Sequence, residues 1–202
     1  MTKELVISVF SREYTWTQNL NDDIKITKYN KNLSTLLGGE IVIIPNIGRD
    51  VHTFFYHIVN QYNFLSDFTI FSQDWPFDHV ENYIEIINGN ENEWNKYGKQ
   101  IFDGCWFFCT SYEVINCDMN GAPHHRGLPI TPVWVELFND PIPKEILFTP
   151  TGHFCVSKEK IHKHPKSYYN KILKILEENP LSPWIIERLE PYIFSDNVNI
   201  KN

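Results

Sequence analysis

The stretch TIFSQDWPFDHV, residues 69–80, gathers Asp74, Asp78 and His79 around Trp75, Pro76 and Phe77. Two carboxylates and an imidazole on a turn stiffened by proline are residue types that can hold a hard divalent cation. Mg²⁺ or Mn²⁺ takes oxygen ligands, often only one or two carboxylates, with phosphate and water filling the remaining positions. His79 could ligate such an ion or orient a ligand. The same residues have a structural reading too: Asp74 starts an Asx-turn and Asp78 caps a helix beginning near Val80. The two readings are compatible.

A second polar group lies upstream in PNIGRDVHTFFYH. Gly48 permits a turn before a helix, Arg49 offers a planar fork of donors, and helix N-termini favour anions. Gly48, Arg49 and His52 are therefore candidate diphosphate contacts, although a glycine there equally reads as a plain turn. His52 and His57, five apart, do not share a helix face and do not form a paired metal site. His124, His125 and Arg126 in NGAPHHRGLP read either as an acceptor-side loop or as a solvated one. His153 in GHFCVS reads either as a metal or phosphate contact or as a satisfied core histidine.

These residues need elements to position them. Leu5–Phe10 is a strong first strand, Tyr14–Leu20 a short helix, Ile24–Tyr29 an alternating second strand and Ile41–Ile44 a short one stopped by Pro45. Val51, Phe54, Phe55, Ile58, Val59 and Tyr62 recur at helical spacing, with Asp50 or Asn46 as caps. Phe68–Ser72 is the next strand, and the quoted turn follows it. Val80–Ile87 reads as helix, Asn88–Asn95 as too polar for the core, Trp106–Ser111 as strand and Cys117–Leu128 as a long loop. Five prolines between 129 and 150 make that region irregular. Gly152–Ser157 is a late strand, and Tyr168–Glu177 and Trp184–Phe194 are helices, the last started by Ser182 and Pro183. Alternating strands and helices predict an α/β fold with a mainly parallel sheet, whose ligands bind beyond the carboxyl ends of the strands. Ser11, Tyr29 and Asp74 all fall there.

Length and composition narrow the classes. The chain has 202 residues, enough for one domain with a sizeable core, and 42% hydrophobic with 21% charged residues is ordinary for a globular protein. A net charge of −7 argues against a nucleic-acid backbone as partner. No apolar run approaches the roughly 20 residues that span a bilayer, and MTKELVISVFSREY reads as a first strand rather than a signal peptide. Cys105 and Cys109, about 13 Å apart in an extended strand, are too distant for a disulfide. Free thiols are expected, consistent with a reducing, cytoplasmic compartment.

The order LVISVFSRE, KYNK, PNIGRDVHTFFYHIV, FTIFSQDWPFDH, then GHFCVSKEKIHKHPKSYYNKIL with IIERLEPYIF resembles a family of glycosyltransferase-like domains. It looks especially like the small nucleotide-sugar-dependent glycosyltransferase domain of chloroviruses, which decorates the viral capsid glycan. The resemblance implies one GT-A (Rossmann-like) nucleotide-binding domain over residues 1–202, with a nucleotide-binding half (1–84) and an acceptor-side half (85–202). It implies a UDP-sugar donor, a glycan or glycoprotein acceptor, Mn²⁺ or Mg²⁺, and, for a viral protein, action in the host cytoplasm. Asp78 would bind the metal, and Asp74 would hold metal-bound water or the sugar. The spacing departs from the family's Asp-x-Asp pattern. Ser11 and Arg12 would lie near the nucleoside, Tyr29 would stack on uracil, and Gly48, Arg49 and His52 would face the diphosphate. Glu187, in IIERLE, would be the base of an inverting enzyme, unless it simply pairs with Arg188 or Lys174. Two rivals are a metal-dependent hydrolase built on Asp74, Asp78, His79 and the His124/His125 pair, which lacks an HExxH helix, and a noncatalytic sugar-nucleotide-binding module.

Overall fold

The computed structural model describes residues 1–32, 41–98, 103–109, 113–116 and 127–195. Its centre is a six-stranded sheet in the order β3-β2-β1-β4-β8-β5. β1 (Lys3–Val9) runs parallel to β2 (Ile24–Asn30) on one side and to β4 (Phe68–Gln73) on the other, and β2 runs parallel to β3 (Ile41–Ile43). β8 (Phe154–Ser157) pairs antiparallel with both β4 and β5 (Cys105–Phe107). The sheet is thus mostly parallel, as the alternation of elements predicts. Two further short strands, β6 (Glu113–Asn116) and β7 (Glu145–Phe148), form a separate antiparallel pair.

Side-chain alternation along the strands sends residues to opposite faces. In β1, Leu5, Ile7 and Val9 join one apolar cluster and Val6 joins the other. The Val6 face is covered by α1 (Arg49–Gln61), α6 (Lys166–Glu178) and α7 (Ser182–Ile193). There Phe71 of β4 meets Phe54 at 5.1 Å and Phe154 at 4.9 Å between ring centres. Burying each such ring contributes about 1.5–3 kcal/mol. The opposite face packs on α2 (Tyr83–Asn88) and α3 (Glu91–Tyr97). The remaining helices are α4 (Ile130–Phe138) and α5 (Lys158–Ile161).

Three helices arise where none is expected from the sequence: α3, α4 and the single turn α5. The Asn-rich segment holds α3 because Asn90 Oδ1 accepts the Asn92 N–H at 2.9 Å and Glu93 accepts the Asn90 N–H at 3.0 Å, a reciprocal cap. One residue then decides its packing: Trp94 is fully buried between Phe68 and Trp106. In the proline-rich region, Pro132 falls in the first turn of α4, where no helical N–H is lost. Trp134 anchors that helix on Tyr192 at 5.1 Å. Residues 15–19 form a 3₁₀ turn rather than an α-helix. Cys105, Cys109 and Cys155 are free thiols, as expected. Cys117, His124, His125 and Arg126 lie outside the described residues.

Candidate functional site

From β1 the chain steps outward through β2 and β3, then returns to lay β4 on the other flank of β1. A cavity of about 340 Å³ opens at the carboxyl ends of β1 and β4, where this reversal occurs. Ser8 and Phe10 line it from β1 and just beyond, and Gln73 and Asp74 from the end of β4. Lys31 follows β2, and Arg49 and Asp50 open α1.

Asp74 is 9% exposed, and its Oδ2 accepts three consecutive backbone N–H groups, from Phe10 (3.0 Å), Ser11 (3.0 Å) and Arg12 (2.8 Å). Its carbonyl also accepts the Trp16 indole N–H at 2.8 Å. Charge-assisted bonds of this kind are among the stronger ones in proteins. Asp74 therefore shapes the loop after β1, an Asx-type role carried out across the sheet rather than within its own turn. Ser11 and Arg12 are held through their backbones, with exposed side chains. The Arg12 guanidinium pairs with Asp78 Oδ2 at 3.0 Å.

Asp78 and His79 do not join Asp74. They line a different cavity of about 520 Å³, together with Glu81, Lys96 and Tyr97. Among the described residues, no three His, Cys, Asp or Glu side chains come together to hold a metal ion. One oxygen of Asp74 is saturated by N–H donors, and Asp78 is engaged by an arginine. The quoted turn therefore does not bring Asp74, Asp78 and His79 together as one seat for Mn²⁺ or Mg²⁺: Asp74 lines one cavity, and Asp78 and His79 line the other.

The other expected residues divide. Gly48 stands at φ 60° as the N-cap of α1, and a Cβ there would come 2.6 Å from His52 Cβ. A glycine is thus required by close packing on the helix. Arg49 is also left-handed, at φ 53°, and its guanidinium lies 5.3 Å over the Trp184 ring. His52 is 2% exposed, does not line the cavity, and has Glu177 Oε1 3.6 Å from its Nε2. Burial, then the Lys31 charge, push its pKa down to about 4 against the pull of Glu177. Tyr29 is 3% exposed, bonded through its hydroxyl to His57 Nδ1 at 3.0 Å and packed edge-on against Tyr56. That burial leaves no free ring face, so the expected uracil platform is corrected to a core residue. Glu187 lies 3.5 Å from Arg188 Nη1, the pairing reading, and does not line the cavity. His153 is fully buried, 3.3 Å from Ser72 Oγ, with its pKa lowered to about 3 by burial and then by His79. It is a core histidine.

The structure brings to the cavity Lys31, which sequence reasoning passed over, and Asp50, which it read only as a cap. Asp50 does not cap its helix by a side-chain bond. Instead its Oδ2 accepts the Gln73 amide N–H at 2.7 Å, and Gly152 packs against that pair. Lys31 is only 4% exposed, and its ammonium donates to the carbonyls of Ile47 and Arg49. Burial lowers its pKa to about 8, against the opposing charge of Asp50. The one sequence signal for both was position: each lies within three residues of a strand end or helix start.

A family model described as "Protein of unknown function (DUF3431)" matches residues 101–200. That span contains β8 and α7 but none of the strands that open the cavity. No curated protein and no solved structure matches the chain.

Proposed function

We propose that this chain is a glycosyltransferase that binds a UDP-sugar in the cavity between β1 and β4 and transfers the sugar to a glycan acceptor. One observation carries the reading. The cavity sits at the strand-order reversal of a mostly parallel sheet, beside the N-terminus of a 13-residue helix. Open α/β sheets bind nucleotides at that position, and unpaired N–H groups at a helix N-terminus favour phosphate. Its volume falls within the usual range for small-molecule sites.

Each part of the ligand has a counterpart. Phe10 is 48% exposed at the cavity's rim, and its backbone is fixed by Asp74. It offers the ring face that Tyr29 lacks. Arg49 and the first turn of α1 face the diphosphate. Asp50, oriented by Gln73, is the carboxylate the cavity supplies as general base. It takes the acceptor hydroxyl proton as that oxygen bonds to the anomeric carbon. The bond from sugar to diphosphate breaks, and its electron pair leaves with the phosphate oxygen. The acceptor half, the resemblance to viral capsid-glycan enzymes and action in the cytoplasm remain part of the proposal.

Titration calorimetry with UDP, uridine and pyrophosphate, followed by mass analysis of candidate UDP-sugars with glycan acceptors, tests it. Phe10→Ala should weaken uridine and UDP at least fivefold and leave pyrophosphate unchanged. An unaltered donor with intact UDP binding would reduce the protein to a binding module. Binding of neither UDP nor pyrophosphate would end the reading.

A further inference from the structure

Taking the cavity as a nucleotide-sugar site, we propose that Lys31, together with Arg49, holds the diphosphate in place of a divalent ion. The ligand class is a pyrophosphate-bearing anion recognised by fixed protein cations.

The argument starts from how the carboxylates are committed. Asp74 turns one oxygen to three backbone N–H groups, and Asp50 gives one to Gln73. Asp78 is in another cavity and paired with Arg12. Two cations line the same cavity as Asp74 and Asp50, and although Asp50 lies near Lys31 as an opposing charge, neither cation is spent in an ion pair among the described residues. A buried ammonium is costly unless its donors are matched. Lys31 has three N–H donors, and two carbonyls take two of them. Among the described residues nothing accepts the third, yet Lys31 lines the cavity. Arg49 also lines it, stacked on Trp184 and with no acidic partner among the described residues.

The backbone is bent to suit this arrangement. Gly48 and Arg49 are both left-handed, a conformation disfavoured for a non-glycine residue. The carbonyls that Lys31 grips, those of Ile47 and Arg49, flank this turn. Lys31 thereby ties the end of β2 to the start of α1, whose first N–H groups have no side-chain cap. A phosphate at this point meets an ammonium, a guanidinium and the open end of a helix together. Strain of this kind at a cavity is where ligand recognition tends to concentrate.

The test uses the wild-type protein first. Calorimetry with UDP and with inorganic pyrophosphate is run in EDTA and again in Mn²⁺ or Mg²⁺. The expected result is dissociation constants within threefold of one another. A gain of tenfold or more from the metal overturns this proposal and leaves the nucleotide reading standing. Absence of binding under both conditions overturns both. Lys31→Gln should weaken UDP and pyrophosphate at least tenfold without changing the affinity for uridine. Because Lys31 also ties two carbonyls, the exposed Arg49→Gln serves as a second variant that spares the core. It should weaken pyrophosphate at least threefold, and wild-type affinity in both folded variants overturns the assignment.

Discussion

Gly152 lies so close to Asp50 that a methyl group on it would stand 2.6 Å from Asp50 Oδ2 and 2.9 Å from Gln73 Nε2. Gly152 belongs to the segment before β8, from the second half of the chain. It closes the floor under a pair formed by α1 and β4. Gly152→Ala should therefore move two side-chain tips rather than backbone. We expect a stability loss of about 1 kcal/mol, at the low end for overpacking, and at least a tenfold loss of transfer activity. Thermal unfolding and turnover measured on one preparation separate the two effects. Full activity would show that the Asp50–Gln73 geometry is dispensable.

The role of Asp74 is read most directly by removing its charge. In Asp74→Asn one neutral oxygen must serve three N–H groups that a carboxylate now satisfies. Hydrogen bonds to charged groups contribute about 1.5–3 kcal/mol each, and partial retention makes a net loss of roughly 2 kcal/mol the expectation. Trypsin cleavage after the exposed Arg12 should accelerate. Unchanged urea midpoint and unchanged cleavage would show that the loop after β1 is held by other means.

Two carboxylates compete for the role of base, and paired variants decide between them. Asp50→Asn should lower kcat at least a hundredfold, within the range general bases contribute. It should also leave the affinity for UDP within about threefold. Glu187→Gln should change kcat less than threefold, because Glu187 lies beside Arg188 and away from the cavity. The reverse pattern would restore Glu187 as the base.

Acid should destabilise the fold before any carboxylate titrates in the unfolded chain. His52 and His57 have pKa values lowered to about 4 and His153 to about 3, in each case chiefly by burial. The unfolded chain binds these protons near pH 6.5 and the folded one does not. Stability is therefore fully present above about pH 6.5 and falls as the pH drops toward 4. Each histidine contributes about 1.4 kcal/mol per pH unit across that window. Urea unfolding at pH 7, 6 and 5 measures the slope. His57→Gln should flatten it, and an unchanged slope in that variant would remove His57 from the account.

Much of the frame is legible in the sequence because local pattern encodes local period. The apolar stripe of α1, the alternation of β2 and the β-branched run of β1 each name their element without reference to the rest of the chain. Asp74 is legible as a polar residue at the end of a strand, and so is the rule that such ends face a site. Pattern does not say which face of the sheet a helix will cover. Tyr29 is a core residue only because α1 lies over its side of β2, with His57 and Tyr56 around it. Nor does pattern name partners far along the chain. Asp74 reaches N–H groups more than sixty residues away, Lys31 grips carbonyls beyond the intervening β3, and Gly152 meets a pair from two earlier elements. Burial and hydrogen-bond choice depend on what the completed sheet brings alongside. The sequence by itself determined the parallel strands β1 to β4 and the end of the sheet where polar residues gather, but not the β6–β7 pair. Only tertiary packing decided that Asp74 and Asp78 open into separate cavities and that a lysine stands beside the first of them.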